Sequence, residues 1–185
     1  MATTDSDLTI ELSMAELREV TAYAVACAER VQAIFERDRP DDRRPRIVLD
    51  EARRFVDGGR RTQALRVAAL DAHRAARDAG ELRAAAEAAR AAAHAGGAAY
   101  LHPLAKATQG GHILMSAACA AHALELDAGD DHAVGAAHVA EAVALAGPTV
   151  VRVLRRYPPA PSGRGRVGEL WRELDASLRR AAANE

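Results

Sequence analysis

The chain has 185 residues and a formal net charge of −1, and 49% of its residues are hydrophobic while only 3% are aromatic. This length suits one domain, and the shortage of aromatic side chains disfavours β-sandwiches and β-barrels. The balanced charge lacks the basic excess typical of nucleic-acid-binding proteins, so we expect no nucleic-acid partner. About half of the hydrophobic residues are alanine, which favours helices because alanine loses no side-chain rotamer entropy in them.

The N-terminal part of the chain predicts an extended segment and then two helices. Residues 7–12 alternate between polar and apolar side chains and predict a short extended lead-in. Ser13 and Glu16 have the spacing of a capping box, and the apolar pattern that follows predicts a helix to about Arg37. A second helix is predicted from Pro45 to a Gly-Gly pair.

The rest of the chain alternates between helical apolar patterns and short breaks that contain glycine or proline. Six further helices are predicted, over residues 62–78, 81–95, 112–126, 131–146, 148–156 and 167–183, with either Asp130 or Asp131 as the cap of the one that ends at Ala146. Gly96-Gly97 is predicted to end the fourth helix, and Pro103 either begins another helix or kinks one. Since no long linker divides the chain, we predict a single all-α domain over residues 1–185, a bundle of about eight or nine helices with alanine-rich packing.

The sequence also predicts where the protein acts. Met1–Asp7 has no basic or apolar stretch of the kind found in signal peptides. The uncharged run between Lys106 and Glu125 is too polar to span a membrane, so no membrane association is expected. Cys27 and Cys119 are too few for a disulfide framework and are expected to be buried thiols in a reducing cytoplasm. Lys106 is the only lysine among 25 basic residues, which is typical of a high-GC genome and suggests an actinobacterial source.

Seven histidines raise the hypothesis of a metal site. His112, Cys119 and His122 fall roughly on one helix face, but the first two are two turns, about 10 Å, apart and cannot share an ion. The sequence contains no His-Glu-x-x-His or Cys-x-x-Cys motif, no P-loop and no Gly-x-Ser-x-Gly motif. We therefore expect no metal and no cofactor, and the motifs assign no catalytic residue.

The stretch from Ala88 to Leu124 contains no Asp or Glu, which predicts central helices whose polar groups are paired or line a pocket. If Pro103 opens a regular helix, residues three or four apart lie on one face and several polar side chains come together. The candidate pocket residues are Tyr100, His102, Lys106, Gln109 and His112, with Asp71 and His73 from the third helix.

Two of these predictions have structural alternatives. A Lys106 ammonium desolvated in this acid-free segment is suited to act as a base, a nucleophile or a ligand contact. The alternative is that its stem covers alanine while its charged end reaches water. For Asp71 and His73 the alternative is an ordinary helix surface on which Asp71 and Arg74 form an ion pair three residues apart.

Charge is distributed unevenly along the chain. Residues 1–42 contain ten acids and four arginines, whereas from residue 145 onward there are eight arginines and four acids. The candidate members of a basic patch are Arg152, Arg155, Arg156, Arg164 and Arg166. Such a patch is suited to an anionic protein partner, and the alternative is that these arginines pair with the acidic first helix of the same molecule.

Several motifs carry a family resemblance that spans nearly the whole chain. They are Arg44–Arg46, Leu70–Ala75, Ala98–Gln109, Gly111–Leu114 and Arg156–Pro161. These segments resemble the Imm-5-like immunity proteins that are found largely in actinobacteria. The resemblance implies an all-α cytoplasmic antidote of a toxin–antitoxin type system, with a protein toxin as partner. It supplies no agreed catalytic residues.

These observations lead to two hypotheses for the function of the protein. The first is an immunity protein that binds and neutralises a partner toxin in the cytoplasm through an exposed patch with anchor residues. The second is a small-molecule enzyme or ligand-binding protein whose pocket lies among the central helices, over residues 98–124. Homodimerisation is open in both cases.

Overall fold

Nine α-helices make up most of residues 9–181, the part of the chain that this computed structural model describes. The helices are α1 (Met14–Glu29), α2 (Gln32–Asp38), α3 (Arg44–Val56), α4 (Gln63–Asp78), α5 (Arg83–Ala98), α6 (Gly111–Asp127), α7 (His132–Leu145), α8 (Pro148–Arg155) and α9 (Arg166–Ala181). A short 3₁₀ helix over Ala107–Gly110 leads into α6. The all-α bundle expected from the composition is confirmed.

Local capping signals fix the starts of several helices as predicted. The Ser13 side chain accepts a hydrogen bond from the backbone N–H of Glu16, whose carboxylate accepts one from the Ser13 backbone. At the start of α4 the Thr62 side chain accepts a hydrogen bond from the Leu65 N–H, and at the start of α7 the Asp131 side chain accepts one from the Ala133 N–H. These caps satisfy N–H groups that the first turn of a helix leaves unpaired, so the starts depend on short-range sequence alone.

The α5 helix lies at the centre of the bundle and packs against α1, α2, α3, α4 and α6. Its buried side chains are nearly all alanine, and alanine is also the commonest buried residue of α6. Small side chains let neighbouring helix axes approach closely. The Ser116 hydroxyl bridges this seam, lying 2.7 Å from the Ala24 carbonyl oxygen and 2.9 Å from that of Ala91.

Two predicted helix boundaries are wrong. The first helix does not continue to Arg37, because the chain breaks after α1 and resumes as α2, which turns Val31 and Phe35 into the core. Gly96-Gly97 does not end α5, which continues to Ala98. Gly96 is instead a packing glycine, since an added Cβ would overlap Cγ2 of Val48 on α3.

The segment around Pro103 neither begins nor kinks an α-helix. Residues 101–106 are non-helical, and Leu104 forms an isolated antiparallel bridge with Thr9. The Ile10 N–H also donates to the Pro103 carbonyl at 3.1 Å. Part of the predicted extended lead-in thus pairs with this segment, while residues 7 and 8, and the end of the last predicted helix at 182–183, lie outside the described residues.

No single helix within residues 9–181 is long and apolar enough to cross a membrane. The helices α7 and α8 meet the length and composition criteria only when taken together, and they are bent by 99° relative to each other.

Candidate functional site

A cleft of about 310 Å³ opens between α4 and α5 beside the first turn of α6. We call it the histidine cleft, and its lining residues are Arg66, Ala69, Leu70, His73, Ala93, His94, Gly97, Tyr100 and His112. The lining includes three imidazoles, one guanidinium and one phenol, but no carboxylate. The site therefore combines apolar walls with groups suited to a hydrogen-bonding or anionic ligand.

The three imidazoles are held in distinct environments. The His73 and His94 rings meet edge to face, with their centroids 5.0 Å apart. Burial lowers the pKa of His94 to about 4, helped by the neighbouring His73 and His112, and burial also lowers the pKa of His73. The His112 Nδ1 lies 3.1 Å from the Gly97 carbonyl oxygen, which only accepts, so this nitrogen carries the proton in the neutral ring.

A fixed aromatic ring orients the arginine at the edge of the cleft. The Tyr100 hydroxyl donates to the Thr62 carbonyl oxygen at 2.7 Å, and the Arg66 guanidinium carbon lies 4.7 Å from the centroid of the Tyr100 ring. This stacking is a cation–π contact that leaves the edge of the guanidinium available. Arg66 is thereby preorganised at the edge of the cleft.

The histidine cleft contains three of the seven candidate pocket residues, namely Tyr100, His112 and His73. His102, Lys106 and Gln109 lie elsewhere because the regular helix that was to align them does not form. The Gln109 side-chain oxygen accepts a hydrogen bond from the His102 N–H at 3.0 Å, so those two residues do meet, but across the non-helical segment that precedes the 3₁₀ helix. Lys106 is exposed, so the expectation that its ammonium is desolvated is wrong.

Asp71 faces the opposite side of α4. It lines a smaller groove of about 220 Å³ together with Arg44, Ile47 and Val67, and its carboxylate pairs with Arg74 at 2.5 Å. The alternative of an ordinary helical ion pair is therefore confirmed for Asp71.

Sequence reasoning missed His94 and Arg66 at this site. Spacing within the sequence did not mark them, because His73 lies five residues before the end of α4 whereas His94 lies eleven residues after the start of α5. Their contact depends on how the two helices pack against each other.

The five arginines predicted as a basic patch do not form one surface. Arg156 pairs with Glu16 of α1 at 2.5 Å, as the intramolecular alternative predicts. Arg166 pairs with the fully buried Glu125 of α6. Arg152 and Arg155 are exposed and line a groove with α9, and Arg164 is exposed in the preceding loop. Two of the five charges are thus neutralised inside the molecule.

Acidic and thiol groups near the centre of the bundle are structural in character. Glu87 is buried and contacts Arg90 at 2.5 Å and His122 at 3.5 Å. Burial opposes its ionisation, but these two partners outweigh burial and lower its pKa. Burial raises the pKa of Cys27 to about 12 and that of Cys119 well above its ordinary value, which is the opposite of an activated thiol. Within residues 9–181 no three His, Cys, Asp or Glu side chains are grouped so that they could hold a metal ion.

A ridge of apolar side chains separates the two depressions beside α4. Val67 and Leu70 are 42% and 53% exposed on this helix, and Ile47 of α3 is 46% exposed across the smaller groove. We call these three side chains, the histidine cleft and the smaller groove the α4 surface.

A family model described as Imm-5 like putative immunity protein matches residues 11–156. The matched region contains α1 to α8 and every residue of the α4 surface. No curated protein and no solved structure matches the chain.

Proposed function

Because the chain belongs to the family of Imm-5 like putative immunity proteins, we propose that it is an antidote that binds a partner toxin in the cytoplasm and blocks it through the α4 surface. The family supports a protein partner. The two free, buried thiols are compatible with a reducing compartment.

The clustering of exposed apolar side chains beside α4 is the observation that carries this proposal. Six large hydrophobic side chains are exposed in the described residues, and three of them, Ile47, Val67 and Leu70, belong to the α4 surface. A contiguous exposed apolar patch is typical of a protein interface. Concave surface on either side of the ridge adds the pockets in which interface anchors are usually held.

Charged residues surround this apolar ridge, as is usual in reversible complexes. Arg44 and Asp71 flank the smaller groove, and each is held by an ion pair within the molecule. An apolar centre with a polar rim is the usual anatomy of an interface. A toxin bound there need not contact any catalytic group of this protein, since inhibition requires only that the active site of the toxin be covered.

The test screens the proteins encoded by the genes on either side of this one for a toxin. We expect the wild-type chain to bind one of them with a submicromolar Kd and to protect cells that co-express it. Leu70→Glu should weaken binding at least tenfold and abolish protection, because it places a charge in the centre of the interface.

Leu145→Glu is the matched control, since Leu145 is 46% exposed at the end of another helix, α7. It should bind the toxin like wild type. Circular dichroism checks that both variants remain folded. Absence of wild-type binding would refute the antidote function, and a loss confined to Leu145→Glu would move the interface away from α4.

A ligand-binding function is the second candidate, and the histidine cleft is the observation that favours it. Its volume of about 310 Å³ is at the small end for a ligand site, and its polar groups converge from α4, α5 and α6. A metabolite that binds with a micromolar Kd, and whose binding is lost in His94→Gln, would support this function in place of toxin binding.

A further inference from the structure

We propose that the histidine cleft receives a carboxylate side chain, Asp or Glu, of the partner protein, and that Arg66 forms the ion pair with it. This inference rests on the proposed function, because it names the chemistry by which the α4 surface selects its toxin.

The guanidinium of Arg66 has no carboxylate partner in the part of the chain that the structure describes. None of the residues that line the histidine cleft is acidic, and no carboxylate of residues 9–181 forms a salt bridge with Arg66. By contrast, Arg74 on the same helix pairs with Asp71, and Arg44 of the neighbouring helix pairs with Asp42 and Asp78. Arg66 is therefore a cation at the edge of a concave surface, and its guanidinium is free to pair with an anion of the partner.

Two further arginines extend this charge. Arg60 and Arg61 are exposed just before α4 and, like Arg66, have no salt bridge among the described residues. The nearby end of the α4 surface is thus basic although the whole chain has a net charge of −1. Charge complementarity selects an acidic partner segment and excludes a basic one.

The position of Arg66 is fixed before any partner binds. The Tyr100 ring holds the guanidinium by stacking, and the Tyr100 hydroxyl is itself held because it donates to the Thr62 backbone carbonyl oxygen. A planar guanidinium held in this way presents its N–H groups in the fork that matches a carboxylate. Less side-chain entropy is lost on binding than for a mobile arginine.

The imidazoles complete the site for a carboxylate. His73 and His94 make no hydrogen bond with the described residues, and a neutral imidazole has one N–H to donate. The Nδ1 proton of His112 is already committed to Gly97. Thus His73 and His94 are the rings available to hydrogen-bond a carboxylate. Arg66 would neutralise the charge of that carboxylate from the edge of the cleft, and Leu70 would shield the resulting ion pair from water.

Binding of a carboxylate should be coupled to proton uptake. The charged and titratable groups that act on His94 are His73 from α4, His112 from α6, and Glu87 and Arg90 from α5 itself. In the free protein burial and the neighbouring histidines hold the His94 pKa near 4. An added negative charge favours the protonated ring, so a complex formed at pH 6 should take up a fraction of a proton.

The experiment measures toxin binding calorimetrically with variants of the exposed Arg66, which should not disturb folding. Arg66→Gln should weaken binding at least tenfold, and Arg66→Lys should recover part of the loss. Arg152→Gln makes the same charge change on α8, away from the cleft, and should leave Kd within twofold of wild type.

A double-mutant cycle then identifies the acid on the toxin. Its surface Asp and Glu residues are changed one at a time to Asn or Gln, and each is combined with Arg66→Gln. One acid should be strongly coupled to Arg66. Its replacement should weaken binding to the wild-type chain but have little further effect on binding to Arg66→Gln. Proton uptake, measured in buffers of different ionisation enthalpy, should fall in His94→Gln.

The outcomes separate this inference from the function on which it rests. A toxin that binds wild type and is weakened by Leu70→Glu, but is unaffected by Arg66→Gln and couples to none of its acids, would overturn the carboxylate site alone. Two other results would also overturn it: benzoate binding to the free cleft with a submillimolar Kd, which points to a small ligand, or a dimer that Leu70→Glu dissociates, which points to a second copy of the chain.

Discussion

The guanidinium of Arg166 in α9 pairs with the carboxylate of Glu125, which is completely buried at the end of α6. The α7 helix packs directly on this carboxylate, because a Cβ added to Gly135 of α7 would overlap the Glu125 side chain. One buried charge thus joins three helices. It also explains why a candidate member of the basic patch is not part of a binding surface.

Replacement of Arg166 by leucine should destabilise the protein by about 3 to 5 kcal/mol, since it leaves the Glu125 charge buried without a partner. Chemical denaturation at pH 7 measures the change in the free energy of unfolding. Arg180→Leu is the control, because Arg180 is exposed on the same helix and its guanidinium donates to the Ser177 hydroxyl at 3.1 Å. This variant should change stability by less than about 0.5 kcal/mol. Equal effects of the two variants would mean that the buried pair is not needed.

The Gly96-Gly97 pair offers a second test within the core. Gly96→Ala should cost about 1 to 3 kcal/mol because the new methyl group meets Val48. Gly97→Ala is its neighbour and control: the added Cβ would lie 3.7 Å from the His112 Nδ1, an ordinary contact, and alanine favours helix. It should be neutral or slightly stabilising in the same denaturation experiment.

A double variant tests the cause assigned to Gly96. Val48→Ala removes the Cγ2 atom that the new methyl group would meet. The loss from Gly96→Ala should therefore be smaller in the Val48→Ala background than in wild type. Simple additivity would contradict this packing explanation.

Sequence reasoning succeeded where the determining contacts are local. The capping box of Ser13 and Glu16 and the Thr62 cap each depend on residues three apart, and these helix starts follow from the printed sequence. The break after Glu29 is different, because no glycine or proline marks it and the packing of α2 against α5 determines it. The prediction that Gly96 ends α5 was wrong for the same reason. Glycine often ends helices, but here the absence of a side chain allows Val48 of α3 to pack closely against α5.

The candidate site was only partly predictable from sequence. His73, Tyr100 and His112 were selected for their chemistry, and all three line the histidine cleft. Lys106 was aligned with them by a helical spacing that the strand-like contact of Leu104 with Thr9 replaces. That contact joins residues far apart in the chain, and a pattern within one segment does not reveal it.

The Glu16 carboxylate predicts a loss of stability in acid. Hydrogen bonds from Arg156 and Ser13 lower its pKa from 4.5 to about 2. Its folded pKa is below its unfolded value, so its contribution is complete above pH 4.5 and is lost as the pH falls toward 2. Wild type should lose about 1 to 3 kcal/mol over this range relative to Glu16→Gln, as measured by denaturation at pH 5, 4 and 3. Parallel pH profiles of the two proteins would contradict it.

Ionisation of His94 should also lower the stability of the fold as the pH falls, but over a higher pH range than that of Glu16. Burial lowers its folded pKa to about 4, whereas an unfolded histidine titrates near 6.5. The unfolded chain therefore binds more protons between these values, so stability is complete above pH 6.5, falls as the pH decreases toward 4 and then levels off. His94→Gln should remove about 1 to 3 kcal/mol of this pH dependence, while His132→Gln, which removes an exposed histidine at the start of α7, should retain the wild-type profile. Titration of the ring signals by NMR checks the cause directly. A His94 pKa near 6.5 in the folded protein would contradict this assignment, because it would show that the ring is hydrated and not buried in the histidine cleft.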